Sequence, residues 1–306
     1  MAGAWTKLTV KANTADLEEV SAVMSMLDNG LMIEDYSDFS LNGMYGELVD
    51  DAILNADKDT VKVSIFVPEE KSVFEYRAFI AERLGIIGVE HEITLEGLCE
   101  EDWADSWKQY YKPVELGRIT VVPAWESYEA KPGEVIVRMD PGMAFGTGTH
   151  ETTRLVIRLM QDEELSDKRV LDVGTGSGIL SICASKLGAL SCNAYDIDPV
   201  AVKVARDNVL SDGCTNITVG VSDLLAGVDT SGGKYDLVVA NIVSDIIIRM
   251  MPDLKDYIKP SAPVILSGII ESRADEVREC VKACGYKVVK ELYENDWVGM
   301  LVKLDI

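Results

Sequence analysis

A chain of 306 residues, 47% hydrophobic and 26% charged, has the composition of an ordinary soluble globular protein and is long enough for about two domains. Its formal net charge of −23 argues against nucleic acid as the main partner, because affinity for a phosphate backbone comes from cationic contacts; it is compatible with a basic protein partner, and equally with acidity that only keeps the chain in solution. No apolar run reaches the ~18 residues of a membrane span, and the N-terminus lacks the apolar core of a signal peptide, so a cytoplasmic location is expected.

The first hundred residues alternate short strand-like and helical runs. "WTKLTVKA" alternates as a strand does. "TADLEEVSAVMSMLDNG" has apolar residues at helical spacing, with Thr14 or Asp16 as a cap and Gly30 as a stop. "LMIEDYSDFSL" reads as a strand and "GELVDDAILNADKD" as an acidic loop or short helix. "TVKVSIFVPE" is a strand, "KSVFEYRAFIAERLG" a helix and "GVEHEITLEG" a strand. The order β-α-β-β-α-β predicts a small α+β domain of ferredoxin-like type over residues 1–97, a fold that by itself names no function.

"CEEDWADSWKQYYKPVELG" follows. Trp103 and Trp107 stand four apart, so a helix places them on one face, as core between domains or as a docking surface. This segment, 98–114, is the expected linker, ended by Pro113. Residues 1–112 hold 23 acidic and 9 basic side chains, about −14 of the total charge, which makes the smaller domain the sensible docking place for a basic partner.

From residue 115 the pattern changes. "RITVVPAW" and "GEVIVRMD" are strands, "TTRLVIRLMQDE" a helix, and strands then alternate with helices: "RVLDV", a helix from Gly178, "CNAYDID", a helix from Pro199, "ITVGVSD", "YDLVVANIV", a helix, "APVILSGI" and the helix "SRADEVRECVKACG". That alternation predicts a parallel, doubly wound α/β sheet. The tail "KVVKELYENDWVGMLVKL" holds two strand-like runs joined near Asn295 and Asp296, a terminal hairpin whose last strand should run antiparallel. The six cysteines are scattered with no CxxC pair and only two histidines accompany them, so no metal is expected; Cys280 and Cys284, four apart, read as two small buried helix residues.

"RVLDVGTGSGIL" fits the first strand–turn–helix of a nucleotide-binding domain. Gly174 and Gly176 allow a tight turn and a close approach to a ligand, and Gly178 lets the helix begin against the sheet. Glycine spacing alone is weak. The stronger sign is Asp196, 22 residues after Gly174 at the tip of the next strand, where a carboxylate accepts from ribose hydroxyls. Asp198 before Pro199 reads instead as a helix cap. A nicotinamide dinucleotide and S-adenosylmethionine both suit this much. The GxGxG spacing and the acidic strand end favour S-adenosylmethionine, which has no phosphate and carries an ammonium and a sulfonium, and the antiparallel hairpin looks like the seven-stranded Rossmann-like methyltransferase sheet. Asn241 falls at another strand end; it is followed by Ile-Val-Ser rather than the Pro-Pro-aromatic of base-modifying aminomethyltransferases, which argues against a nucleobase substrate.

"MDPGMAFGTGTHETT", "LDVGTGSGILSI", "AYDIDPVAV", "DLVVANIV" and "LSGI", in this order, resemble the ribosomal protein L11 methyltransferases of PrmA type. The resemblance is strong from about residue 103 to the end; before that it is one of size and pattern. It implies an N-terminal ferredoxin-like domain that recognises the ribosomal protein, a flexible linker, and a methyltransferase domain over 115–306. The implied reaction carries methyl groups from S-adenosylmethionine to lysine side chains and the N-terminal amine of L11. The implied cofactor contacts are Thr153, Gly174, Asp196 and Asn241, with no metal. The chain departs from the family pattern at "KPSAP" (Lys259 to Pro263), where a glycine pair is usual. No general base is assigned. His150 reads as shaping a turn after "GTGT", and Phe145 as core or as a cover for the cofactor. The protein is expected to be a monomer. The alternatives are a methyltransferase of this fold with another substrate, a nicotinamide dehydrogenase, and a non-enzymatic assembly factor with a relic cofactor domain.

Overall fold

The structure is a computed structural model and describes residues 5–28, 30–37, 57–68, 71–96, 112–140, 148 and 150–305. The chain divides into two compact units, 1–110 and 111–306. Most of the expected linker, including Trp103 and Trp107, lies outside the described residues, as do residues 38–56 and Phe145.

In the first unit, β1 (Trp5–Asn13), α1 (Leu17–Ser25), β2 (Met32–Glu34), β3 (Thr60–Pro68), α2 (Val73–Ile86) and β4 (His91–Glu96) follow one another. The strands form an antiparallel sheet in the order β2-β3-β1-β4. Leu8, Val10 and Ala12 of β1 face the same side as Val61, Val63, Ile65 and Val67 of β3, and all are buried along with Val20, Met24, Phe79, Ile80 and Leu84 of the two helices. Period-2 alternation on the strands and 3.6-residue spacing on the helices thus meet in one core. The N-terminal cap differs from expectation. Asn13 accepts from the Ala15 N–H at 3.0 Å and starts a short 3-10 turn, while the Asp16 side chain caps nothing.

The second unit begins with a three-stranded sheet apart from the large one. β5 (Val114–Leu116) pairs antiparallel with β6 (Ile119–Pro123), which pairs parallel with β7 (Val135–Met139). The two runs read from sequence as strands ahead of the alternation thus form a sheet of their own. After α3 (Glu151–Met160) come β8 (Arg169–Val173), α4 (Ile179–Lys186), β9 (Ser191–Asp196), α5 (Pro199–Ser211), β10 (Ile217–Val221), β11 (Leu237–Asn241), α6 (Ser244–Leu254), β12 (Val264–Ile270), α7 (Ala274–Ala283), β13 (Tyr286–Glu294) and β14 (Trp297–Leu304).

The seven strands β8 to β14 form the large sheet in the order β10-β9-β8-β11-β12-β14-β13. The first five run parallel, and β14 runs antiparallel to both of its neighbours. Central strands such as β8 and β11 are buried on both faces, and apart from Arg169, Asp172 and Asn241 their side chains are apolar. Two clusters, one with Leu171, Val238, Ile247 and Val277, the other with Val170, Val239, Val156 and Ile182, make up the core; each fully buried aliphatic side chain contributes about 1.5–3 kcal/mol. Cys280 and Cys284 are half-buried at the end of α7 rather than buried, because that end of the helix meets solvent. Among the described residues no helix is long and apolar enough to cross a membrane.

Candidate active site

The chain runs outward from β8 to β9 and β10, then returns to β11 on the other side of β8. The crevice at the carboxyl ends of these strands is the topological switch point, where open α/β sheets bind ligands. Strand register brings three of the expected residues into a row there. Tyr195, Val173 and Ala240 are paired across β9, β8 and β11. The next residue on each strand is Asp196, Gly174 and Asn241.

Gly174 has φ +73°, and a Cβ there would lie 2.3 Å from Ile242 Cγ2. Only glycine makes this turn and lets the Ile242 side chain pack against it. Its N–H and that of Thr175 both donate to the Tyr195 carbonyl, at 2.8 and 3.0 Å, which ties the glycine turn to β9. Gly178 starts α4, but its close neighbour is Ala205 of α5, at 3.2 Å from the missing Cβ, rather than the sheet.

Asp196 ends β9. Its Oδ2 accepts from the Gly176 N–H at 2.9 Å and its Oδ1 from the Asp198 N–H at 3.0 Å. A carboxylate offers about four acceptor positions, so room remains for hydroxyl donors. Burial raises the pKa of Asp196 against these two bonds. Asp198 caps α5, accepting from the Val200 N–H at 2.8 Å, with Pro199 in the first helical position.

Asn241 ends β11. Its Nδ2 lies 3.3 Å from Thr153 Oγ1, on the first turn of α3. Its Oδ1 is buried without a hydrogen-bond partner. An unpaired buried acceptor costs ~1–3 kcal/mol, so it marks a place where a ligand donor belongs. Thr153 itself is fully buried. His150 is the N-cap of α3: its Nδ1 accepts from the Thr152 N–H at 3.2 Å, and its ring meets the Trp297 ring edge-on at 5.2 Å. The residues 141–147 and 149 of the long glycine motif lie outside the described residues.

Two further features were not singled out from sequence. Asp172 is fully buried on β8; its Oδ2 accepts from Thr175 Oγ1 at 2.7 Å and from Ser181 Oγ at 2.8 Å, so one carboxylate ties the glycine turn to α4. Burial drives its pKa up to about 6, with the charge of Asp196 adding to the rise. The clue in the sequence is hydroxyl residues three and nine places after an aspartate in a strand. Gly268 is the second feature: a Cβ there would lie 2.5 Å from the Ile242 carbonyl oxygen, so β12 passes β11 closely just beyond Asn241.

These residues fit S-adenosylmethionine. The partly open Asp196 carboxylate at a strand end has acceptor capacity left for hydroxyl donors, and the buried Asn241 Oδ1 awaits a donor. Fold and site together define a methyltransferase of Rossmann-like α/β type. Comparison with known proteins narrows this. The family model described as ribosomal protein L11 methyltransferase (PrmA) matches residues 4–305, and the chain belongs to that family. Ribosomal protein L11 methyltransferase of Streptococcus agalactiae is 37% identical over 309 residues, covering 98% of this chain and 96% of its own. The protein of the same name from Acetivibrio thermocellus is 39% identical over 313 residues, covering 98% of both. The crystal structure of ribosomal protein L11 methylase from Lactobacillus delbrueckii subsp. bulgaricus superposes with a TM-score of 0.60 at 33% identity, over 64% of this chain and 100% of that one. The dehydrogenase alternative is not favoured by any of these.

Proposed function

We propose that this protein transfers methyl groups from S-adenosylmethionine to lysine side chains and the N-terminal amine of ribosomal protein L11, with Thr153, Gly174, Asp196 and Asn241 holding the cofactor. The observation that carries the site assignment is the row of strand ends Asp196–Gly174–Asn241, with Thr153 against its last member. The first unit supports a ferredoxin-like recognition domain over residues 1–97 through its strand order β2-β3-β1-β4. Its excess of acidic side chains suits a basic protein substrate.

S-adenosylmethionine supplies, when bound, a methyl group already activated on a sulfonium. The protein's own task is then alignment. Asp196 offers its remaining lone pairs to ribose hydroxyls. Asn241 holds Thr153 with its amide N–H and presents Oδ1 to an N–H donor. A lysine amine, of ordinary pKa about 10.4, must arrive neutral, and an apolar, water-poor surrounding lowers that pKa by disfavouring the charge. No side chain is assigned as general base, and the protein acts as a monomer.

Incubation of purified L11 with enzyme and isotopically labelled donor, read by mass spectrometry, tests the reading. Mass increments on lysines and the N-terminus are expected. Calorimetry that finds binding of NAD and none of S-adenosylmethionine would overturn it.

A further inference from the structure

We propose that the tip of the terminal hairpin, Glu294 and Asn295, is a positioning element of the cofactor site that acts through the first turn of α3 on Thr153. The inference rests on the reading that Thr153 and Asn241 hold the cofactor.

The contact between Asn241 and Thr153 is long, at 3.3 Å, so it does not by itself place the helix. The placing comes from elsewhere. Asn295 Nδ2 donates to Glu151 Oε1 at 2.8 Å. Glu294 pairs with Arg154 at 2.5 Å and with Arg158 at 3.0 Å, and Arg154 also reaches Glu151 at 3.5 Å. Asn295, Glu151, Arg154 and Glu294 thus form a closed ring of polar contacts around the first turn of α3, the turn that carries Thr153. Trp297, at the other side of the hairpin turn, packs its ring on His150, the cap of the same helix. The tip is in turn anchored to the end of β12, where the Glu271 N–H donates to the Asp296 carbonyl at 2.8 Å. A segment near the chain's end therefore grips a helix start more than 130 residues earlier.

The residue type at the tip sharpens the point. Asn295 has φ +52°, a left-handed conformation that asparagine tolerates and glycine makes freely. Turn geometry alone would be met by glycine; the reach to Glu151 would not. The Glu151 carboxyl sits in a half-buried place that would raise its pKa, yet its helix-start N–H, His150, Asn295 and Arg154 together hold it below the usual range. It is kept as an anion for this ring.

Asn295→Gly separates the turn from the grip. The variant should change the melting temperature little, because the ease of glycine in the left-handed turn offsets the lost side-chain bond. It should bind S-adenosylhomocysteine about threefold to tenfold more weakly, the range for positions that act on a site through a neighbour. The KM for S-adenosylmethionine should rise by the same factor, with kcat at saturation little changed. Glu294→Gln, which keeps the shape and removes the charge, should move the affinity in the same direction. Wild-type affinity in both variants overturns the proposal, as does a loss of affinity that comes only with a loss of melting temperature. Thr153→Val and Asn241→Ala measure the underlying reading separately. If they bind normally, the cofactor assignment fails. If they lose binding while Asn295→Gly and Glu294→Gln do not, only the role of the hairpin tip fails.

Discussion

Asp172 and Asp196 lie near the carboxyl ends of neighbouring parallel strands, yet their surroundings differ. Asp172 is sealed from solvent and satisfied on one oxygen by two hydroxyls, while its other oxygen has no partner. Asp196 is only partly buried and accepts backbone N–H groups on both oxygens, with acceptor capacity left over. Hydroxyl partners on one buried oxygen make an internal tie. Backbone partners at a partly open strand end leave acceptor capacity for the proposed ribose contact. Burial and the kind of donor, rather than residue type, divide the two roles.

The sharpest way to break this comparison is to remove each carboxylate in turn. Asp196→Ala should abolish methylation and weaken S-adenosylhomocysteine binding by roughly 100-fold or more, since charge-assisted hydrogen bonds contribute about 1.5–3 kcal/mol each. Calorimetry and the labelled-donor assay read both effects; near-normal binding would return Asp196 to a purely structural role. Gly174→Ala comes next. Its Cβ would meet Ile242 Cγ2 at 2.3 Å in a left-handed backbone, at a cost of ~1–3 kcal/mol. Because Ile242 directly follows Asn241, the variant should lose cofactor affinity by more than it loses thermal stability.

Where the candidate residues stand was largely legible in the sequence. Gly174, Asp196 and Asn241 each sit at the end of an apolar run, and a strand-then-turn pattern predicts a position at the sheet's carboxyl edge. That they stand side by side was not legible, because register between strands distant in sequence depends on packing of whole helices across the sheet. The large, mostly parallel sheet followed from alternation of strand and helix. The separate sheet of β5, β6 and β7 did not, since "RITVVPAW" carries the same local signal as a central strand. In the first unit, Asn13 took the cap expected of Thr14 or Asp16, a shift of one to three residues that local propensity does not resolve. The tie from Asp172 to Thr175 and Ser181 was hidden for a different reason: a buried carboxylate looks, in sequence, like any polar residue at a strand end.

Asp172→Asn tests the sealed member of the pair through pH. An acid whose pKa is raised in the folded state keeps its proton longer there than in the unfolded chain. Stability therefore falls as pH rises from the ordinary aspartate value near 4 to about 6, and is level above that. Asparagine does not titrate, so the stability of the variant relative to wild type should grow across that window by a few kcal/mol at most, at ~1.4 kcal/mol per pH unit. The buried amide N–H left without an acceptor adds a constant cost of ~1–3 kcal/mol, so the slope and not the offset is the readout. Urea denaturation across the window measures it. A difference that does not change with pH would show that Asp172 is not the buried, late-ionising group its surroundings imply.

The smallest effect belongs to a third aspartate and gives the finest separation. Asp198 lies two residues beyond Asp196 and does two things: its backbone N–H donates to Asp196 Oδ1, and its side chain caps α5 at the Val200 N–H. Asp198→Ala keeps the first bond and removes the second. Loss of a helix cap costs about 1 kcal/mol, a lowering of the melting temperature by a few degrees. The Asp198 charge also raises the pKa of Asp196, so its removal lets Asp196 ionise more readily, in the direction that favours hydroxyl donors. Cofactor affinity should therefore hold or improve slightly while thermal stability falls, the inverse of what Asp196→Ala does to the same two measurements. If Asp198→Ala loses cofactor as Asp196→Ala does, the ribose-binding role is shared along the β9–α5 turn, and the division between a ligand aspartate and a capping aspartate collapses.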